Sequence, residues 1–195
     1  MKSQHVVARH NLQSRLNLVG KAITWLTWGL GLSYIISEAW MWYYNRPVMI
    51  ESILASFADS QPLLLSPAFH LSVLAKSLLM LLDMLPIAVT SLICFFTGLF
   101  FLRLSRNELW TTRNFRVLWT AGIMNIASPV LYSLSWMLQS LALSLDLPAG
   151  ERILHLSLGL TSSGMHDVVV GIILCAFAWM IRESTKIHEE HALYI

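Results

Sequence analysis

Five ionisable residues interrupt otherwise apolar runs: Glu38, Lys76, Asp83, His166 and Asp167. An ionisable side chain in hydrocarbon is costly, and where one persists it usually pairs with another group or serves a proton or ligand. Lys76 and Asp83 are seven residues apart, two helical turns, and so share one helix face. Glu38 or Asp83 pairing with Lys76 and His166 would make a polar pocket for a proton or a ligand. The plainer alternative is that all five sit at the water interface and anchor helix ends. Asn125, Ser128 and Pro129 lie deeper in an apolar run. An amide in hydrocarbon needs a partner and a proline bends a helix. Asn125 and Pro129 therefore read either as a hinge in a transport path or as an interhelical hydrogen bond at a kink.

Other chemistry has little to stand on. His70, His155, His166 and Asp167 contain no pair with the i, i+3 or i, i+4 spacing of a helical metal site. No glycine-rich phosphate loop, Ser/His/Asp set or pair of catalytic carboxylates is present. Cys94 and Cys175, the two cysteines, both fall in apolar runs and form no Cys-x-x-Cys motif. The expectation is a protein that is not an enzyme and carries no cofactor or metal.

The elements that must position these residues follow from composition. Of 195 residues, 56% are hydrophobic and 12% charged, and the mean hydropathy is +0.62. A soluble domain carries roughly 25% charged residues. Half that share, with apolar runs of about 20 residues, predicts an all-α polytopic membrane protein. Its core would be a four-helix transmembrane bundle, with short interfacial helices in the outer loops.

A basic amino-terminal segment, residues 1–21, precedes a first span at about 22–44, which is too long and too aromatic for a signal peptide. Trp25, Trp28, Trp40, Trp42, Tyr43 and Tyr44 mark its two borders. Gly29 and Gly31 are placed to allow close helix approach. Residues 45–70 read as a loop or short surface helix. The second span is expected at about 82–102, with 71–81 as an outer extension kinked or broken at Pro86. The third is expected at about 116–141 and the fourth at about 165–181, before a polar tail, 182–195. Between the last two spans, Ile153–Leu160 is expected as a short interfacial helix. Ser105 and Glu108 have capping-box spacing, which predicts a brief helix starting there.

Charge gives the orientation. Ten of the thirteen Lys and Arg residues fall in the amino-terminal segment, the 103–116 hairpin and the tail. The positive-inside rule then places both termini in the cytoplasm. The hairpin residues Arg103, Arg106, Arg113 and Arg116 could touch anionic lipid. With Trp110 and Phe115 as anchors, they could instead dock a cytoplasmic protein.

The segment from Asn107 to Gly122 resembles the hairpin of a bacterial family of small four-span membrane proteins of unknown function, catalogued as DUF2975. Glu108, Trp110, Asn114, Leu118 and Gly122 occupy its motif positions. The closing segment Met180–Ile195 is similar to the family's acidic amphipathic tail, with Glu190 in the place of its usual Glu. The likeness covers roughly residues 98–195. It departs at Asn107, where Gly is common, and at Trp110, where Phe is usual. The resemblance implies a bacterial inner-membrane location and no known activity. Some members lie beside genes for small helix-turn-helix regulators, which implies a regulatory role.

The leading expectation is therefore a non-enzymatic interaction or regulatory protein that engages a cytoplasmic partner through the 103–116 hairpin and the tail. The alternative is a small transporter or channel subunit that uses the outer polar cluster. Membrane lipids, a cytoplasmic regulatory protein and further copies of the chain are the expected partners. No direct nucleic-acid binding is expected.

Overall fold

The computed structural model describes residues 2–67, 69–106, 111–148, 150–155 and 161–192, with side chains from 17 to 187. Trp110, Glu108 and Asn107, and the side chains of His188, Glu190 and His191, lie outside the described residues. Among the described residues there are five α-helices: α1 Lys2–Tyr44, α2 Arg46–Phe57, α3 Val73–Ser105, α4 Thr112–Ser144 and α5 Ser162–Ala192. A short 3-10 turn covers Pro62–Leu65. No strand occurs among the described residues, so the fold is all-α.

Each long helix outruns its expected span. The amino-terminal segment continues unbroken into α1, the tail continues α5, and Pro86 and Pro129 both lie inside helices. Pro86 therefore does not break α3. Ser105 is the last residue of α3, and its hydroxyl turns back to donate to the Leu102 carbonyl at 2.7 Å; the brief helix expected from Ser105 and Glu108 falls on residues outside the described ones. The next helix is capped by Thr111, whose Oγ1 accepts the Asn114 amide at 3.2 Å. Residues 151–155 of the expected interfacial helix are not helical, and 156–160 lie outside the described residues.

Among the described residues, three helices are long and apolar enough to cross a membrane: Val73–Ser105, Thr112–Ser144 and Ser162–Ile187. The first expected span, within α1, is not among them. Trp25, Trp28, Ser33, Tyr34, Ser37 and Glu38 dilute its apolar stretch, because aromatic and hydroxyl side chains favour an interface over hydrocarbon. Large apolar side chains are nevertheless exposed along the helices, among them Leu26, Ile36, Val130, Ile172 and Phe177. Small polar residues are buried instead: Thr24, Ser91, Ser135, Gln139, Ser140 and Ser144.

The chain divides into two compact units. The first comprises Met1–Leu32, Thr90–Ile126 and His166–Ile195. In it α1 and α3 run antiparallel at close range. Gly20 lies against Ser105, Gly31 against Ser91 and Cys94, and Gly98 against Trp28. At these crossings side chains bond helix carbonyls: Thr24 to Gly98 at 3.1 Å, Trp28 Nε1 to Phe95 at 3.1 Å and Ser91 to Gly31 at 2.6 Å. A side chain built at Gly29 would meet nothing within 4 Å, so Gly31 alone of that pair serves close packing. Helices α4 and α5 meet where Gly122 faces Gly171 and Cys175. Leu118, Ala178 and Ile181 form the core beside them.

The second unit comprises Ser33–Val89 and Ala127–Met165. Its core holds Trp42, Ile53, Phe57, Leu64, Leu79, Leu143 and Leu147. Ser140 and Ser144, one turn apart on α4, pin the following loop: the Ser144 hydroxyl donates to the Ile153 carbonyl at 2.6 Å, and Ser140 accepts the His155 amide at 3.1 Å. Asp146 accepts the Ser72 amide at 2.7 Å just before α3 begins, so the loop is tied to the head of that helix.

Candidate functional site

The site begins with a proline. Pro86 has no N–H, so the carbonyl of Leu82, four residues earlier, loses its helical donor. Ser135, on α4, donates its hydroxyl to that carbonyl. This bond fixes α4 beside α3 one residue away from Asp83. An orphaned carbonyl in an apolar setting would cost several kcal/mol, about the penalty of leaving any backbone group unsatisfied in lipid.

Asp83 then meets α1. Trp42 Nε1 donates to Asp83 Oδ2 at 2.9 Å, and Trp42 is buried to within 1%. Glu38 stands four residues before Trp42 and so lies on the same face of α1. Its side chain lines the same cavity as that of Asp83.

Helix α4 supplies the opposite wall. Tyr132, Ser135, Trp136 and Gln139 follow i, i+3, i+4, i+7 spacing and present one face. With Glu38, Asp83, Pro86 and Ile87 they line a cavity of about 130 Å³. Gln139 is 4% exposed, and its Oε1 has no hydrogen-bond partner. The lining therefore offers two carboxyls, a free amide carbonyl and two hydroxyls, with no Lys, Arg or His among its residues. Such a surplus of acceptors calls for a donor or a cation.

Of the cluster expected from sequence, Glu38 and Asp83 come together. Lys76 belongs to the same unit but lines a different cavity, with Arg46, Glu51 and His70. His166 and Asp167 belong to the first unit. Asn125 lies in the first unit, whose share of α4 ends at Ile126, and Pro129 lies in the second, where its ring meets Gly164. Trp42, Tyr132, Ser135 and Gln139 were not anticipated. A signal exists for the three on α4: Asn125, Ser128, Tyr132, Ser135 and Gln139 alternate steps of three and four, a polar stripe down one face of the third apolar run.

In the hairpin, Phe115 packs against the Leu118, Ala178 and Ile181 core. The Arg182 guanidinium lies over its ring at 5.5 Å and over Trp179 at 5.6 Å. Arg106, Arg113 and Arg116 are exposed, and Arg103 is half-buried. Comparison with known proteins adds no relative: no family model, no curated protein and no solved structure matches the chain.

Proposed function

We propose that the chain is a four-span protein of a bacterial inner membrane, with both termini cytoplasmic, and that it binds a small cation at the Glu38–Asp83 cavity as a transporter or transport subunit. The observation that carries this is the free, buried Gln139 carbonyl at a cavity that already holds two carboxyls. Protein dipoles and carboxylates grouped without a compensating cation are stable only if something positive joins them. A proton satisfies part of this need, and an alkali or ammonium ion satisfies the rest.

The membrane setting draws support from several sides. Apolar residues face outward while small polar ones are buried, the arrangement suited to lipid. In the first unit α1 tracks α3 antiparallel from Gly20 to Gly31, so a bilayer crossed by α3 would be crossed by α1 too. A helix of 33 residues is about 50 Å long, against a hydrocarbon core of about 30 Å. Asp83 then falls about 15 Å along α3 from its first residue, inside that core. The sequence resemblance of residues 98–195 to DUF2975 agrees with the four-span layout and the bacterial membrane.

This non-enzymatic reading displaces docking of a cytoplasmic regulator as the leading one, because Phe115, one of the expected anchors, serves the protein's own core. The exposed Arg106, Arg113 and Arg116 remain suited to lipid headgroups. The test is thermal unfolding of the purified protein titrated with Na+, K+ and ammonium. At ten times the dissociation constant a bound ion stabilises by about 1.4 kcal/mol, a rise of roughly 3–6 °C for a chain of this size. Protons compete for the same oxygens, so the response should weaken as pH falls. No stabilisation by any of these ions at any pH tested would overturn the proposal.

A further inference from the structure

A second cavity, of about 430 Å³, lies in the same unit but shares no lining residue with the first. It is formed by α2, the segment 69–71 and the first turn of α3. Arg46 opens α2, and Ile50 and Leu54 follow it at helical spacing, so a cation and two apolar side chains share one stripe. Lys76 lines it from α3, and Phe69 and His70 line it from the connecting segment.

Two fixed cations therefore border an apolar wall, with His70 beside them and Glu51 as the one acid. Neither Arg46 nor Lys76 is ion-paired among the described residues, where the ion pair present is Lys186–Glu183. Cations placed for structure alone would be expected to find Glu51, or to point away from Ile50, Leu54 and Phe69. The lining instead presents a positive mouth on a greasy slot. A guanidinium fork and an ammonium together suit a phosphate, and the apolar slot suits a hydrocarbon chain. Glu51 can accept a hydroxyl of the headgroup.

We propose that this cavity binds the phosphate of an anionic glycerophospholipid, with the phosphate on Arg46 and Lys76 and an acyl chain along Ile50, Leu54 and Phe69. The inference does not depend on the cation site. Lys76 thereby acquires a role apart from Asp83, although the two share a helix face.

Native mass spectrometry of the full chain, released from phosphatidylcholine vesicles doped with phosphatidylglycerol, tests this directly. The wild type should retain one phosphatidylglycerol above the background. Arg46→Gln and Lys76→Gln should each weaken retention about fivefold, and the pair about 25-fold, at about one lost contact of headgroup electrostatics per cation. Glu51→Gln should leave phosphate retention intact or strengthen it, which keeps the test valid if a cation variant folds poorly. Lys186→Gln, at an exposed ammonium paired with Glu183, should change nothing at this site. Equal retention by wild type and the double variant would overturn the proposal. So would displacement of the lipid by inorganic phosphate at equal concentration, which would mark a free-phosphate site with no use for the apolar slot.

Discussion

Gln139 separates a structural from a functional reading most sharply. A buried carbonyl without a partner costs about 1–3 kcal/mol. If it serves only the fold, Gln139→Leu should be neutral or stabilising and alter nothing else. If it serves a cation, Gln139→Leu should hold or raise stability in ion-free buffer yet lose the ion-dependent rise in melting temperature. Trp42→Phe tests the other side of the site: it removes the donor to Asp83 and should cost about 1–3 kcal/mol by thermal unfolding. Glu38 and Asp83 were legible in the sequence because a carboxyl in an apolar run is conspicuous. Their meeting was not, because it depends on the register between α1 and α3, and no pattern within either helix encodes that register. Lys76 was drawn toward Asp83 by two-turn spacing. The structure shows what such spacing leaves open, since helix neighbours on one face can still line different cavities.

At the scale of elements, the helices are held by glycines and hydroxyls more than by large apolar side chains. A Cβ at Gly122 would stand 2.5 Å from Cys175 Sγ and 2.9 Å from the Gly171 carbonyl. One at Gly171 would stand 2.7 Å from the Gly122 carbonyl. Backbone cannot yield there cheaply, so Gly122→Ala and Gly171→Ala should destabilise α4 against α5. Gly29→Ala meets open space and should be neutral or stabilise by up to about 1 kcal/mol through helix propensity. A melting series of the three variants checks both directions. Gly122 and the run of Gly171, Cys175 and Ala178 were readable as small residues at helical spacing, whereas Gly29 and Gly31 look alike in sequence and only one is used. Pro86 shows the same limit. Sequence marks it as a kink or break, but Ser135 supplies the donor that its ring removes from Leu82, and α3 continues. Ser135→Ala should therefore cost about 1–3 kcal/mol, more than a surface Ser on the same helix.

At the scale of the whole molecule, the number of crossings decides whether the termini share a side. Composition alone credits three helices with enough apolar length. An odd number would put the termini on opposite faces. The close antiparallel track of α1 along α3 and the gathering of ten Lys and Arg residues in the amino-terminal segment, the 103–116 hairpin and the tail favour an even number. With Cys94 and Cys175 both replaced by Ala, single cysteines at Ser60 and Ser184 should label from opposite sides of a sealed membrane. A cysteine at Ser14 should label from the same side as Ser184. Labelling of Ser14 and Ser184 from opposite sides would support three spans and remove α1 from the bilayer. The all-α class was legible because apolar run length is a local signal, and turn residues left 45–70 readable as a loop or a short helix, of which Arg46–Phe57 is helical. The continuous helices Lys2–Tyr44 and Ser162–Ala192 were not, because polar residues that end an apolar run need not end a helix.

The claim on which most rests is that the cavity between Glu38, Asp83 and Gln139 takes a cation. The direct measurement is an ion titration, followed by thermal unfolding, of the wild type beside Gln139→Leu and the double variant Glu38→Gln, Asp83→Asn. The account predicts a rise of a few degrees with at least one monovalent cation in the wild type and none in either variant. An equal rise in all three proteins, or no rise in the wild type, would contradict it.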